Sequence, residues 1–387
     1  MNFNKGIIMK TIEYLKKNGI ESLKSEFSIN VKEYDDLFVL NYDQIESPKT
    51  HPIVQECRGL ILDKQFNVVS RSFDRFFNFG ENNTSENCNF SKCKIFEKLD
   101  GSLINVYYYN ENWNVSTRGT AFAESEVNGF GLSFKELVYK ALNISTQEEF
   151  NSIFDGFGLK CRDFYTFIFE VTSRENRVVT HYHGYTLWLL AIRDNSDGMY
   201  FDRESFKEHS LKCGIKFPNE YYFKSIDDCM KAIEKLKDLK EGYVVYENIG
   251  LSGIDEYVPV FKLKSPTYLA VHRLKGEGLT PKRIIDLVNM NEHEEYLTYF
   301  EDDRKYFEPY IKAYEILFYD INFIWEKYKM VRDQKDFAMC VKDFPFASIL
   351  FRKRKDSEQS FLHLFNLQSD SYKRDLLEKI KNTIYIS

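Results

Sequence analysis

The 387-residue chain has seven cysteines, an odd number, and no CxxC pair among them. That usage argues against a disulfide framework or a structural zinc site. Long apolar runs are also missing. The longest, residues 185–192, stops at Arg193, far short of the ~20 residues that a bilayer-spanning helix needs. Residues 1–16 mix Lys, Asn and Glu with apolar side chains and offer no signal-peptide core. A reducing cytoplasm is the expected compartment, with no membrane partner. Excess positive charge is absent as well: the net charge is -6 and the pI about 5.8. A protein that coats nucleic acid non-specifically is usually basic, so any nucleic-acid contact here must be local. No internal repeat and no low-complexity tract is present.

What is there reads as globular. Hydrophobic residues make up 43% and charged residues 29%. The length suits two or three domains and is ample for a buried core. Aromatics reach 16%, and those rings serve cores and base stacking alike. The first two thirds read mainly as strands and turns. Residues 103–109, 113–117, 164–171, 185–192, 242–246 and 257–263 are predicted strands. Helical spacing appears at 10–17, 133–141 and 226–239. After Arg273 the pattern changes. Residues 275–281 hold two glycines and a proline, a candidate linker, with Thr280 and Pro281 suited to start a helix. From there the segments are long, charged and amphipathic, including 304–331. The charge divides with the pattern: residues 271–387 carry 20 basic and 20 acidic side chains, so the whole deficit falls on the first 270.

The sharpest chemical signal is Glu97-Lys98-Leu99-Asp100-Gly101-Ser102. Gly101 would permit a tight turn between two strands and leave Lys98 at the mouth of a sheet. A lysine amine becomes a nucleophile when desolvation or neighbouring cations lower its pKa. Alone, Lys-x-Asp-Gly also describes a surface hairpin with a solvated lysine. Downstream, Phe261-Lys262-Leu263-Lys264 in an extended segment puts both lysines on one face, where they repel and call for an anion such as a polyphosphate. An edge strand that uses lysines against aggregation has the same pattern. Glu170 ends an apolar stretch, and Glu241 precedes Gly242-Tyr243-Val244-Val245. Carboxylates at strand ends ligate hard cations in phosphate-handling sites, and they also occur as plain solvated termini.

Taken in order, these motifs resemble those of the covalent nucleotidyltransferase superfamily of DNA ligases, RNA ligases and mRNA capping enzymes. Ser116-Thr117-Arg118-Gly119, Phe167-Ile168-Phe169-Glu170 and residues 187–193 fill the interval between Lys98 and Glu241. A closer resemblance is to the RNA ligase 1 family of T-even phages. It is carried by Glu56-Cys57-Arg58-Gly59-Leu60, by Ser70-Arg71-Ser72-Phe73-Asp74-Arg75-Phe76-Phe77-Asn78-Phe79, by Asn176-Arg177-Val178-Val179, and by residues 265–268 followed by His272. It covers about 56–272 and extends more loosely into the tail.

The resemblance implies an α+β fold: an antiparallel-sheet nucleotidyltransferase (adenylation) domain of the ATP-grasp-like DNA/RNA ligase type, followed by an all-α C-terminal domain. The expected boundaries are 1–275 and 276–387, the second part serving RNA specificity. It implies an ATP-dependent RNA ligase with ATP and Mg2+ (or Mn2+) as cofactors. Lys98 would be the nucleophile that carries AMP, with Asp100 and Lys264 beside it. Arg58, Arg75, Phe77, Gly101, Arg118, Glu170, Lys262 and Lys264 would bind ATP, and Glu170 and Glu241 the metal. Tyr268, His272, Arg352, Lys353, Arg354 and Lys355 would contact RNA. The implied partners are RNA with 3′-OH and 5′-phosphate ends, such as cleaved tRNA, and a separate polynucleotide kinase/phosphatase that heals ends. A monomer in the cytoplasm of a bacterial or phage-infected cell is expected.

Family members often carry lysine where Arg75 and Arg118 stand, and the interval from Glu241 to Lys262 is longer here, implying an enlarged loop at 248–257. Two other readings compete. A DNA ligase or capping enzyme would follow its last lysine motif with an oligonucleotide-binding barrel, but long helical patterns follow Lys264 instead. A non-catalytic RNA-binding module on a decayed ligase fold would be expected to lose Lys98 or the carboxylates first. His181 and His183 read as an exposed loop or a metal-ligand pair, and Cys88 and Cys93 as plain thiols.

Overall fold

The computed structural model describes residues 9–81, 88–128, 130–250, 256–275, 279–289 and 293–384. It divides into two compact units, residues 1–270 and 271–387.

The first unit holds three sheets. In chain order, β1 (Ile29–Glu33), β2 (Leu37–Tyr42), β3 (Arg58–Asp63) and β4 (Val68–Ser70) form an antiparallel meander. Helices α1 (Lys10–Phe27) and α2 (Pro52–Glu56) cover one of its faces, burying Ile12, Leu15 and Leu23 against Leu40, Leu60 and Leu62. The helix predicted at 10–17 runs ten residues further, across a break at Gly19, whose positive φ of 77° suits glycine.

The other two sheets make the cleft. One has the order β12-β6-β13-β14-β5, namely Glu220–Tyr221, Cys93–Lys98, Gly242–Asn248, Tyr257–Lys264 and Phe77–Asn78. The second has the order β11-β10-β9-β7-β8: Tyr200–Phe201, Thr186–Asp194, Tyr165–Thr172, Ser102–Tyr109 and Asn112–Ser116. All pairings are antiparallel except β14 with β5.

The period-2 alternation of the strands decides what faces what. On β9, Phe167, Phe169 and Val171 point into a core capped by α3 (Phe134–Leu142) and α4 (Gln147–Asp155). Ile168, between them, points the other way and joins Phe73, Phe96, Ala191 and Tyr246 in the layer between the two sheets. On β13 and β14, Tyr243, Val245, Phe261 and Leu263 bury against Cys229 and Ile233. Those two residues belong to a helix at Ile226–Ile233. Lys262 and Lys264 therefore turn towards the layer between the sheets. The edge-strand reading of these lysines fails, because β14 is paired on both sides at Phe261 and Lys262.

The predicted helix at 226–239 ends at Ile233. Asp238 and Leu239 then take positive φ, which no continuing helix allows. Helix α4 escaped the pattern search, although Thr146 and Glu149 form a capping box at its start.

Among the described residues, every regular element of the second unit is a helix. Its longest helix, Arg304–Tyr328, packs against helices Pro281–Asn289 and Asp370–Ile384. Leu287, Tyr296, Phe307, Leu317 and Ile321 are fully or almost fully buried there. Residues 276–278 of the linker expected at 275–281 lie outside the described residues, as do residues 251–255 of the enlarged loop. Among the described residues, no helix is long and apolar enough to cross a membrane.

Candidate active site

Lys98 is the last residue of β6, where the chain leaves one sheet to enter the other as β7. Its Nζ donates to Glu241 Oε2 at 2.7 Å, and Lys264 Nζ donates to Glu241 Oε1 at 2.9 Å. Strand register explains the meeting: Gly242 lies opposite both Lys98 and Lys264, so Glu241 reaches back between them. Glu241 is 4% exposed. Burial alone would raise its carboxyl, but Lys98 and Lys264 outweigh that and hold it below the ordinary range. Burial likewise pushes Lys98 down, and Glu241, Glu170 and Asp100 more than reverse it, so Lys98 rests as an ammonium.

Gly101 is required for a reason other than turn geometry. Its φ is ordinary, but a Cβ there would stand 2.3 Å from the Val171 carbonyl oxygen. Gly242 is held more tightly still: at φ 148° its Cβ would meet the Leu263 carbonyl at 1.9 Å. Gly101 lets β7 lie against β9 and Gly242 lets β13 lie against β14, and motif reasoning gave Gly242 no such part.

Asp100 is 3% exposed and fully engaged. Its Oδ2 accepts from the backbone N–H groups of Val179 and Thr180 at 2.7 and 2.6 Å, and its Oδ1 from the Tyr268 hydroxyl at 2.7 Å. Asp100 therefore positions the turn after Lys98 rather than facing the cleft. The RNA contact expected of Tyr268 is corrected at the same point. That side chain is 2% exposed and serves as a buried donor to Asp100.

Around Lys98 lies an open cleft between the two sheets. Arg58, Lys98, Glu170 and Lys262 line it together with Phe76, Phe96 and Tyr246. Arg58 Nη1 is buried without a partner. Lys262 is pushed down to about 7, first by burial and then by Lys98, Arg58, Lys264 and Arg75. Glu170 accepts from Gly101 N–H at 3.1 Å, and burial pushes its carboxyl up to about 8. So many cations around apolar walls suit a polyanion with an apolar body.

A second group flanks this cleft. Arg75 Nη1 donates to the Tyr42 hydroxyl at 3.0 Å, and the Arg75 and Arg118 guanidiniums lie 5.3 and 5.2 Å from the Tyr42 ring. Burial would raise the Tyr42 hydroxyl, yet Arg58, Arg118 and Arg75 lower it on balance. Tyr42, at the centre of three arginines, was not found by motif reasoning. Its contacts come from β2, which carries no motif. Phe77 is buried on β5 under Arg75. Gly59 lets β3 approach the Arg118 turn, since a Cβ there would be 3.0 Å from the Arg118 Cα.

The carboxylates give no protein-only metal cage. Among the described residues no group of three or more His, Cys, Asp or Glu is placed to hold a cation, and that includes His181 and His183. Both oxygens of Glu241 are already held by ammoniums. The donor set suits a cation that arrives with phosphates and takes one protein carboxylate.

The remaining RNA-contact candidates belong to the second unit. His272 is exposed on helix Pro266–Lys275. Arg352, Lys353, Arg354 and Lys355 end helix Ala347–Lys355. Lys353 bonds the carbonyls of Ser357 and Gln359, and Arg354 those of Val331 and Arg332, so these two tie loops together. Arg352 and Lys355 are exposed.

Comparison with known proteins follows the same residues. An RNA ligase family model, of the T4 RNA ligase 1 type, matches residues 56–268. A putative bifunctional polynucleotide kinase/RNA ligase of Autographa californica nuclear polyhedrosis virus is 36% identical over 368 residues, 90% of this chain and 51% of that protein. The chain thus spans about half the length of that relative. An RNA ligase of Rhodothermus phage RM378 is 29% identical, covering 72% of this chain and 73% of its own. Among solved structures, an archaeal ATP-dependent RNA ligase aligns with a TM-score of 0.44 at 12% identity, over 73% of this chain and 68% of that one.

Proposed function

The chain belongs to the T4 RNA ligase 1 family, and from that premise we propose that it is an ATP-dependent RNA ligase that joins RNA 3′-OH and 5′-phosphate ends through an AMP-carrying Lys98. The observation that carries the reading is the ion triad Lys98–Glu241–Lys264 at the mouth of a cation-lined cleft.

The chemistry follows from the placement. Lys98 must first lose a proton, and Glu241 Oε2 is the acceptor within reach. Its Nζ then attacks the α-phosphorus of ATP. A P–N bond forms, the bond to the bridging oxygen breaks, and pyrophosphate leaves. Lys262, Lys264 and Arg58 offset the charge on the phosphates, while Arg75 and Arg118 extend the cationic surface to the leaving group. Next an RNA 5′-phosphate oxygen takes AMP from Lys98, and finally an RNA 3′-OH attacks that activated phosphate and expels AMP. Asp100 and Tyr268 position Lys98 without touching substrate. Glu170, or Glu241 once its lysines turn to the phosphates, is suited to hold the divalent cation, Mg2+ or Mn2+. That ion supplies charge neutralisation on the phosphates.

Repair of cleaved RNA such as tRNA in the cytoplasm, alongside a polynucleotide kinase, is the proposed setting. Support for the kinase comes from the viral relative, whose name couples the two activities. The test is incubation with α-labelled ATP and magnesium. An acid-labile label on the protein that chases into RNA is expected. A protein that takes no label from ATP contradicts the reading.

A further inference from the structure

Arg203 opens a short 3-10 turn just after β11, and no motif marks it. Its side chain is 8% exposed and lines the cleft that holds Lys98 and Lys262. The guanidinium carbon lies 3.8 Å from the Phe96 ring centroid. Nη1 donates to the Leu190 carbonyl at 2.8 Å. That carbonyl sits at the bulge between Leu189 and Ala191, which interrupts the β9–β10 ladder. Nη2 is buried without a partner. Glu204, Glu220 and Asp202 act on the guanidinium through Coulomb attraction without forming an ion pair, and the Tyr246 ring lies 5.9 Å from it. A buried cation with an unused donor is costly, so a group that fills that donor is favoured.

Position tells which group. Phe96 and Lys98 alternate on one face of β6, about 7 Å apart along the strand. Val244 lies opposite Phe96 and beside Lys262. Beyond Lys98 the strand ends and the chain crosses to the other sheet. A nucleotide whose phosphates sit at Lys98 and Lys262 therefore finds its apolar room on the Phe96 side, under Arg203.

We propose that Arg203 contacts the base of ATP, with Nη2 donating to one ring nitrogen of adenine, and that it thereby takes part in nucleotide selection. The proposal rests on the ligase reading above. It places a specificity-determining side chain outside all the motif residues. Being a donor, it fits the ring acceptors N1, N3 and N7, and it cannot accept from the exocyclic amine.

The experiment measures Lys98 adenylation by wild type, Arg203→Met and Arg203→Lys with ATP and with its 1-deaza, 3-deaza and 7-deaza analogues. In wild type, one analogue is expected to fall about tenfold or more below ATP in kcat/KM, the effect of losing a charge-assisted hydrogen bond. In Arg203→Met, the loss with ATP falls mainly on KM, and the penalty for that one analogue disappears. Arg203→Lys keeps part of the penalty, and it carries the test if the Met variant does not fold. A merely structural Arg203 would depress ATP and analogue alike. An unchanged ATP-to-analogue ratio in the variants overturns the contact and leaves the ligase reading intact, as does a wild type indifferent to all three analogues. A wild type that takes no label from ATP overturns both.

Discussion

Lys262 shows what gathering cations in one cleft costs the protein that carries them. It is a half-buried ammonium among Arg58, Arg75, Lys98 and Lys264, and burial followed by those charges pushes it down to about 7. The unfolded chain returns it to the ordinary lysine range, about 10.4. The native state thus holds fewer protons than the unfolded one between pH 7 and about 10. Stability rises with pH across that window, and the penalty is full below pH 7. Lys262→Met is expected to abolish adenylation yet stabilise the ligand-free protein at pH 6.5, on the order of a few kcal/mol. The gain should shrink by pH 9.5. Denaturant midpoints at both pH values check it, and an equal or larger gain at pH 9.5 would contradict it. Tyr268 works in the opposite sense, because its hydroxyl serves the buried Asp100 carboxylate. Tyr268→Phe is expected to lose about 1.5–3 kcal/mol of stability, the range for a hydrogen bond to a charged group. It should also slow adduct formation, since the Lys98 turn loses one of its ties. Unchanged stability together with unchanged adduct kinetics would show the bond to be idle.

Between elements, the critical contacts are backbone against backbone. Gly101 allows β7 to lie against β9, and its would-be Cβ collides with the Val171 carbonyl rather than with a movable side chain. Gly101→Ala is expected to destabilise by about 1–3 kcal/mol and to slow adenylation on the order of 10²-fold through displacement of Lys98. Gly119, in the turn next to Arg118, has nothing within 4 Å of its would-be Cβ, so Gly119→Ala should match wild type in both assays. Equal effects from the two substitutions would remove the packing argument. The same scale separates what the sequence reveals from what it hides. Lys98, Glu241, Lys262 and Lys264 sit in compact local patterns that are ambiguous singly, and their order along the chain, with the resemblance it carries, is what points to their chemistry. Tyr42, Gly242 and Arg203 gain their parts only when strands distant in sequence come together, so no local pattern announces them. Tyr268 misleads for the same reason. A tyrosine just after a lysine motif resembles a surface contact until Asp100 is seen beneath it.

The whole molecule separates by composition as well as by contact. The expected boundary at 275/276 follows the glycine and proline punctuation, whereas the compact units divide at 270/271, inside helix Pro266–Lys275. Punctuation marks where a helix must stop, and units divide where packing changes hands. In the second unit Val271 is already buried. Every ion pair and hydrogen bond described above for Lys98, Asp100 and Glu241 lies within residues 1–270. A truncation after Lys275, which keeps that helix whole, is therefore expected to form the adenylate adduct. The second unit, with its 20 basic and 20 acidic residues, is ill suited to a general RNA clamp. Its loss should instead reduce preference for a nicked, structured RNA over an unstructured oligonucleotide, with Arg352 and Lys355, the exposed members of the 352–355 run, suited to a local contact. Adduct yield and sealing rates on both substrates check this. A folded truncation without adduct would show that the second unit completes the site, and an unchanged substrate ratio would remove its part in selection.

The most direct measurement of the central claim compares wild type with Lys98→Ala on two RNAs, one ending in a 5′-phosphate and one already carrying a 5′-adenylate. If Lys98 carries AMP, the variant forms no protein adduct and fails to seal the 5′-phosphate RNA, yet still seals the adenylated RNA, because that step needs no lysine nucleophile. An undiminished adduct in Lys98→Ala, or ATP-dependent sealing of the 5′-phosphate RNA at the wild-type rate, would contradict it.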